Sequence, residues 1–290
     1  MTNTLKITFS VFFFSIQWAM GSAVNTSNTV LFKITSTHHD QVSYLFGTHH
    51  AFGKSFFDSL TLANQYLSTC NILVKENLNI PGQMAEDIIN QRENAIKWKK
   101  YLNKKDLSFI KDLFANSPTD FKKMTPTEMY VFLNRHYKKK YCLTKDTNDS
   151  YLSLDDYIGN KAKKQNLKLV GLETTEDQIK IINKDVEGMP RKVHKKRLSS
   201  IIKHIKSGNS NNCEETEWYR QMDIDYQLEK PCQNTLMLTD RNLKWMDSLQ
   251  KYLDSDNCFI AVGLSHLMYE CGLINQLKKL GYTITPVMVK

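Results

Sequence analysis

The sequence predicts an α/β protein in which a mixed central β-sheet is flanked by helices and carries a helical insertion. Two stretches near opposite ends of the chain, Tyr44 to His50 and Phe259 to His266, share one pattern: a strand, a glycine, and a histidine three residues later. Their β-branched and aromatic residues favour buried strands. A strand, a helix and a last strand end the chain, which is typical of an α/β sheet.

The two histidine turns are the first candidates for a functional site. Gly47 precedes His50 and Gly263 precedes His266, and glycine lets the chain turn without a Cβ in the way. Ligands of open α/β sheets lie beyond the carboxyl ends of the strands, so adjacent turns would direct both imidazoles into one crevice. A single Gly-x-x-His also occurs by chance, and a capping or core histidine is the alternative for each.

The first residues differ from the rest of the chain. Lys6 is the only charged side chain among residues 1–23, residues 7–20 are mostly apolar, and Gly21-Ser-Ala23 resembles a cleavage site. This pattern predicts a secretory signal peptide at 1–23, followed by one domain at 24–290. The apolar stretch is shorter than a membrane span of about 20 residues, although an uncleaved anchor is the alternative. We therefore expect a secreted or periplasmic protein without stable membrane insertion after cleavage.

Six cysteines in a chain that carries an export signal permit disulfides, and six allow fifteen pairings. We expect Cys213 to pair with Cys232, because the stretch between them begins as a polar loop that closure would stabilise. Cys70 and Cys258 each open a predicted strand and could pair if those strands are neighbours. No two cysteines have Cys-x-x-Cys spacing, which argues against a zinc cluster.

The formal net charge of +9 comes largely from three basic runs, at 97–105, 138–145 and 191–206. Such runs could attract an acidic surface. All three lie in helical sequence with interspersed apolar residues, as solvated helix faces do, and no glycine-aromatic motif of a nucleic-acid module accompanies them. We therefore expect no nucleic-acid partner.

The first half of the chain places a carboxylate at a strand end. Val30 to Thr35 and Val42 to Phe46 predict a β-hairpin, and a helix at Ser59 to Ser68 leads into the apolar strand Asn71 to Glu76. A glutamate at the end of a buried strand is costly unless it is paired, bound to a metal or exposed at the rim. Glu76 is therefore a candidate site residue, with a solvated rim position as the alternative.

A long helical stretch and a second strand-end carboxylate follow. Residues 84–141 predict the helical insertion, which we expect to cover the crevice, and Ser153 is an N-cap candidate for the next helix. The strand 167–171 ends just before Glu173. Gln178 fits a capping box, which explains it structurally but leaves Glu173 unexplained.

Helices are also predicted over residues 180–251, with a loop at 207–213. In the last of them Arg241 and Trp245 lie four residues apart and hence on one helical face.

The order of these motifs resembles the TraB/GumN/TIKI family over roughly residues 30 to 290. The motifs are Tyr-Leu-Phe-Gly-Thr-x-His, a strand ending in Glu, Met124-x-Pro126, Leu-Asp before a helix, Gly-Leu-Glu-Thr-x-x-x-Gln, Arg-Asn-x-x-Trp and Val-Gly-x-x-His-Leu. Each is weak alone, but seven in order are specific. The resemblance implies one α/β domain with a Gly-x-x-His motif at each end of a mixed sheet. Animal TIKI members are membrane-tethered metalloproteases that depend on divalent cations such as manganese or cobalt.

Residue by residue, the resemblance implies a metal site. Its candidate ligands are His50, Glu76, Glu173 and His266. Asp155 and Arg241 match further family positions. The chain departs from the pattern at Tyr269, where the family often has glycine, and at Asn77, where it commonly has an acidic residue.

The implied chemistry is that of a metal-dependent hydrolase acting on a peptide or protein. Imidazole and carboxylate ligands suit divalent manganese, cobalt or zinc, and the ion would lower the pKa of a bound water. Glu76, Glu173 and Arg241 are the candidate catalytic residues: one glutamate as general base, and Arg241 as a clamp for a carboxylate or oxyanion. The chain lacks the zincin His-Glu-x-x-His and the Gly-x-Ser-x-Gly of serine hydrolases. The alternative is a non-enzymatic regulator that binds or sequesters a peptide; the oligomeric state stays open.

The export signal gives the first testable prediction. We expect cleavage near Ala23, because the apolar segment is signal-like and short. Intact-mass measurement of the exported protein should show the loss of residues 1–23. Retention of these residues in a membrane fraction would contradict the prediction.

Overall fold

The computed structural model describes residues 29–143 and 153–289, so the predicted signal peptide lies outside the described residues. Within these ranges six strands form one mixed sheet: β1 (Leu31–Thr35), β2 (Ser43–Thr48), β3 (Ile72–Lys75), β4 (Lys168–Gly171), β5 (Cys258–Gly263) and β6 (Thr283–Val287). Their order across the sheet is β4-β3-β5-β2-β1-β6. The first four strands of that order are parallel, and β1 is antiparallel to both β2 and β6. The predicted α/β class and the β1–β2 hairpin are confirmed.

Helices connect and cover the strands. In the described ranges they are α1 (Lys54–Asp58), α2 (Thr61–Thr69), α3 (Ala85–Asn90), α4 (Lys104–Leu113), α5 (Pro126–Tyr137), α6 (Leu154–Lys164), α7 (Thr175–Lys184), α8 (Arg191–Ser207), α9 (Glu214–Gln221), α10 (Asp240–Ser255) and α11 (Leu273–Lys279). None of the helices in these ranges has the length and apolar character needed to cross a bilayer.

The sheet topology determines where the candidate residues lie. The strands β4, β3, β5 and β2 are neighbours and run parallel, so their carboxyl ends share one edge of the sheet. Glu173, Glu76, His266 and His50 follow these four strands in that order. The predicted strand-end residues therefore lie along one continuous edge.

Two hydrophobic cores support the structure. The larger surrounds the sheet and includes Phe46, Phe259 and Trp245. The smaller joins α4, α5 and α8 through side chains such as Ile110 and Ile202. We call the helices around this second core, α3, α4, α5 and α8, the helical lobe. It corresponds to the predicted insertion, extended by α8 from later in the chain.

The start of α5 shows how the sequence fixes the lobe. Thr125 is the N-cap and accepts a hydrogen bond from the backbone of Glu128, whose carboxylate accepts one from the backbone of Thr125 in return. Pro126 occupies the first helical position, where its missing N–H costs nothing. Arg92 donates to both oxygens of the buried Glu128 at 2.7 and 2.8 Å. This bidentate pair ties the segment after α3 to α5.

The disulfides differ from the expected pairing. Cys142 pairs with Cys213 and Cys232 pairs with Cys271, so the predicted Cys213–Cys232 bridge is wrong. The fold brings the residue before α9 to the chain that continues α5, and residue 232 to the loop after β5. Strands β3 and β5 are neighbours, yet Cys70 and Cys258 are free buried thiols, and burial raises the pKa of each to about 12.

An ion-pair cluster at the end of α1 yields a pH-dependent prediction. Asp58 accepts hydrogen bonds from Lys54 at 2.7 Å, from Lys161 at 3.1 Å and from the Tyr157 hydroxyl. Burial alone would raise the pKa of Asp58, but these donors outweigh it and lower the pKa to about 2. Because the folded pKa is depressed, the stabilisation is present above the unfolded pKa and is lost as the pH falls through about 2.

We therefore expect Asp58→Asn to lower the free energy of unfolding by about 1–2 kcal/mol at pH 7. The difference from the unsubstituted protein should shrink as the pH falls toward 2. Urea denaturation at pH 7 and pH 3 measures it. Asp112→Asn, at an exposed position on α4, is the control and should change stability little at either pH. A difference for Asp58→Asn that grows in acid would contradict the assignment.

Candidate functional site

The guanidinium group of Arg241 contacts side chains that follow three different strands. Arg241 of α10 is buried and donates to both carboxylate oxygens of Glu173, with Nε 3.1 Å from Oε2. Its Nη2 lies 2.8 Å from Oε2 of Glu76, and its Nη1 lies 2.9 Å from Nε2 of His266. Arg241 thus connects the residues that follow β4, β3 and β5.

The face of α10 that carries Arg241 is apolar and packed. Trp245 lies one turn further along and is fully buried. The guanidinium carbon of Arg241 is 4.8 Å from the centroid of the indole ring, and the ring centroid of His266 is 4.4 Å from that of Trp245. The predicted shared face of Arg241 and Trp245 therefore points at the second histidine turn, and a cation–π contact helps to hold the guanidinium there.

Asn242 determines which nitrogen of His266 carries the proton. The Asn242 amide donates to the backbone carbonyls of His266 and Cys271, at 3.2 and 2.8 Å, so its Oδ1 is left as an acceptor. Oδ1 lies 2.7 Å from Nδ1 of His266, which therefore donates. Nε2 then carries the lone pair that accepts from Arg241. Burial, opposed by Glu76 but reinforced by the charges of Arg241 and His50, lowers the pKa of His266 to about 4, so the ring is neutral at pH 7.

Glu76 lies between β3 and β5 and is fully hydrogen-bonded. Its Oε1 accepts from the backbone N–H of Gly263 at 2.7 Å, and its Oε2 accepts from Gln178 at 3.1 Å in addition to Arg241. Burial opposes ionisation, but His266, Arg241 and His50 together lower the pKa of Glu76. The carboxylate is therefore ionised at neutral pH.

The glycines of the two motifs allow neighbouring side chains to lie close to the backbone. Both have negative or extended backbone angles, since neither Gly47 nor Gly263 is among the described residues with positive φ. A Cβ on Gly263 would lie 2.9 Å from Oε1 of Glu76, and one on Gly47 would lie 2.7 Å from Leu264. These glycines therefore matter because they lack a Cβ: Gly263 leaves room for the carboxylate of Glu76, and Gly47 leaves room for Leu264 of the facing motif.

The first histidine turn forms a second polar group. Nδ1 of His50 is 2.8 Å from Oδ2 of Asp155, and the other oxygen of Asp155 accepts from the Thr48 hydroxyl at 2.6 Å. Asp155 lies in the first turn of α6, whose N-cap is Ser153, as predicted. Asp155 is the main cause of the raised pKa of His50, with a further contribution from Glu76. His50, Thr48 and Lys75 in turn hold the pKa of Asp155 well below its usual range despite burial.

The structure thus brings together three of the four predicted ligands in direct contact. Glu76, Glu173 and His266 meet at Arg241, with Nε2 of His266 3.8 Å from Oε1 of Glu76. His50 is paired with Asp155 and is 59% exposed, and its link to the cluster is the electrostatic effect of Glu76. In the parts of the chain that the structure describes, no three His, Cys, Asp or Glu side chains form a group able to hold a metal ion. The ligand set stays a prediction.

Sequence reasoning missed two residues that contact the site. Gln178 was explained by a capping box, but the box at α7 joins Thr174 and Asp177, and Gln178 donates to Glu76 instead. Asn242 was read only as part of the Arg-Asn-x-x-Trp motif, although its amide orients His266. In both cases the signal was the motif itself, since Gln178 ends the motif that contains Glu173 and Asn242 follows Arg241 directly.

Comparison with known families identifies the family of the chain. The model of the TraB/PrgY/gumN family matches residues 30–286. The match spans most of the chain, and the chain belongs to this family, which confirms the resemblance seen in its motifs. No curated protein and no solved structure was found to match it.

The buried charge cluster makes a prediction about stability. Glu173 has a side chain that is 1% exposed, so removing its partner leaves a buried charge without compensation. We expect Arg241→Met to lower the free energy of unfolding by about 3–5 kcal/mol. The double variant Arg241→Met/Glu173→Gln should lose less than the sum of the single variants, because it removes the isolated charge.

Urea denaturation of the four proteins of this cycle gives the coupling free energy. Arg220→Met is the matched control, because Arg220 pairs with Glu217 on the surface of α9 and both side chains are about half exposed. It should cost less than about 1 kcal/mol. Additive effects of Arg241→Met and Glu173→Gln would contradict the role given to the guanidinium.

Proposed function

We propose that this member of the TraB/PrgY/gumN family is a metal-dependent hydrolase that cleaves a peptide or protein outside the cytoplasm. One observation carries the proposal: each of the two motif histidines engages a side-chain oxygen through Nδ1, Asp155 for His50 and Asn242 for His266. Metal-binding histidines commonly hold their second nitrogen in this way, which fixes the ring and leaves Nε2 for the ion.

The chemical types of the donors suit a divalent cation, although the described side chains do not gather into a group able to hold one in this structure. Two imidazoles with oriented Nδ1 atoms and the ionised Glu76 offer nitrogen and oxygen ligands of the kind that manganese, cobalt and zinc accept. Nε2 of His266 accepts from Arg241 in this structure, so occupancy requires that contact to open. Glu173, also predicted as a ligand, has both oxygens engaged by the same guanidinium.

The protein groups have distinct roles in this proposal. A bound divalent ion would supply a water of lowered pKa and polarise the substrate carbonyl. Glu76 is ionised, as it must be to serve either as ligand or as proton acceptor for the attacking water. Glu173 holds Arg241 by two hydrogen bonds, and the guanidinium contacts His266, so it would stabilise an oxyanion beside that ring once this contact opens.

The location and the substrate class of the proposal have separate grounds. The two disulfides fit an oxidising, non-cytoplasmic location. A peptide or protein as substrate follows from the resemblance of the motifs to metalloproteases of the family.

A second function, peptide binding without turnover, is favoured by a different observation. Arg241 satisfies both glutamates and His266, so the cluster is already a complete hydrogen-bonded network. Such a network can be purely structural. Ligand binding would then use the exposed His50, held in place by the largely buried Asp155.

The two functions differ in metal dependence and turnover. We expect the purified protein, supplied with manganese, cobalt or zinc, to cleave members of a peptide library. Glu76→Gln and His50→Ala should each lower kcat/KM by at least about 100-fold, because each removes a ligand-type group from the site. Mass spectrometry of the peptides measures cleavage, and calorimetry with the metal alone measures ion binding.

His38→Ala is the matched control, since His38 is an exposed histidine outside the site. It should keep full activity, and thermal unfolding of each variant separates loss of function from loss of fold. Saturable peptide binding without cleavage, unchanged by a chelator, would overturn the hydrolase in favour of the binding function.

A further inference from the structure

A groove in the helical lobe, outside the site described above, has the features of a ligand pocket. It has a volume of about 390 Å³ and lies between α5 and α8, and Asn212 also lines it. Tyr130, Asn134 and Tyr137 line it from α5, at spacings that place them on one helical face. The wall from α8 includes Lys196, Arg197, Ser200 and His204. The volume lies in the range of small-molecule sites, roughly 300–1,000 Å³.

The charged residues that line the groove are all basic. Helix α8 carries seven Lys and Arg residues and no Asp or Glu. No acidic residue lines the groove. Among the residues that the structure describes, Lys206 is the only basic side chain of α8 with a carboxylate partner, Asp106. The positive potential along this wall is therefore left uncompensated.

Arg197 is held in place without an oxygen acceptor. Its guanidinium carbon lies 4.1 Å from the ring centroid of Tyr130, and Nη1 lies 3.5 Å from the sulfur of Met189. Within the described ranges no carboxylate or carbonyl oxygen accepts from this half-buried guanidinium. The guanidinium is thus held in position, its donors other than the one directed at Met189 are left for a ligand, and Lys196 lines the same wall.

We propose that this groove binds a phosphate or sulfate ester carried on a sugar. The planar fork of a guanidinium matches two oxygens of a tetrahedral oxyanion, and a lysine adds a second positive charge. Asn134 and Ser200 offer neutral hydrogen-bonding groups, and the half-buried ring of Tyr130, where Arg197 does not cover it, offers apolar surface for the sugar. The groove is larger than a single oxyanion needs, which is why the anion is assigned to an ester rather than to a free ion. The site is independent of the proposed hydrolase.

Calorimetry on the full exported protein at low ionic strength tests the ligand class. The probes are glucose 6-phosphate, glucose 6-sulfate, inorganic phosphate, inorganic sulfate and glucose. We expect one saturable site for at least one sugar ester, at least about fivefold weaker binding of the corresponding inorganic anion, and no binding of glucose. The preferred ester distinguishes a phosphorylated from a sulfated source. Absence of saturation for both esters up to about 10 mM overturns the proposal.

Charge-matched variants separate a built site from general attraction to a basic helix. Lys196→Gln and Arg197→Lys should each weaken ester binding about tenfold, the first by removing a charge and the second by removing the fork and its stacking. Lys203→Gln removes the same charge from the same helix but does not line the groove, and should change the affinity less than about twofold. Equal loss in Lys196→Gln and Lys203→Gln overturns the proposal, because it indicates a solvated basic face. Since Lys196 is exposed, its variant decides the test even if Arg197→Lys perturbs the contact with Tyr130.

Discussion

The guanidinium of Arg241 is the interaction on which the candidate site depends. Two glutamates follow the adjacent strands β3 and β4, and both are nearly excluded from water. Two carboxylates so placed would repel each other, and one would take up a proton unless a cation lay between them. Arg241 supplies that cation in a planar form that reaches both glutamates and His266 at once. The strand ends can therefore meet at this edge with Glu76 ionised.

The two histidines are in different states because their surroundings differ. Burial, reinforced by the adjacent guanidinium, lowers the pKa of His266 to about 4, so it is a neutral ring whose Nε2 lone pair accepts from Arg241. His50 faces Asp155 on the other side of the edge, and its pKa is raised. Two copies of one sequence motif thus provide a neutral and a readily protonated imidazole. The difference comes from what packs against each turn, since the motifs themselves are alike.

The sequence predicted the sheet edge well because its signals are local. Apolar runs followed by His50, Glu76, Glu173 and His266 indicate strand ends, and parallel strands place such residues at one edge. The contacts among them depend on tertiary geometry. Which side chains Arg241 contacts depends on how α10 packs through Trp245. The contact of Gln178 with Glu76 was missed because the capping box at α7 uses Asp177 instead of Gln178. Disulfide pairing was mispredicted for the same reason, because a polar stretch between two cysteines does not indicate which loops lie close together in the fold.

The helical lobe is linked to the first histidine turn through α9. The Cys142–Cys213 bridge joins the chain after α5 to the start of α9. On α9 the buried hydroxyl of Tyr219 donates to the carbonyl of Gly47 at 2.8 Å, and the Tyr219 ring lies 5.2 Å from that of His49. The backbone that carries His50 is therefore held from one side by α9 and from the other by Asp155 of α6. Because the disulfide links α9 to the helical lobe, the position of His50 depends on the hydrophobic core of that lobe as well as on the sheet.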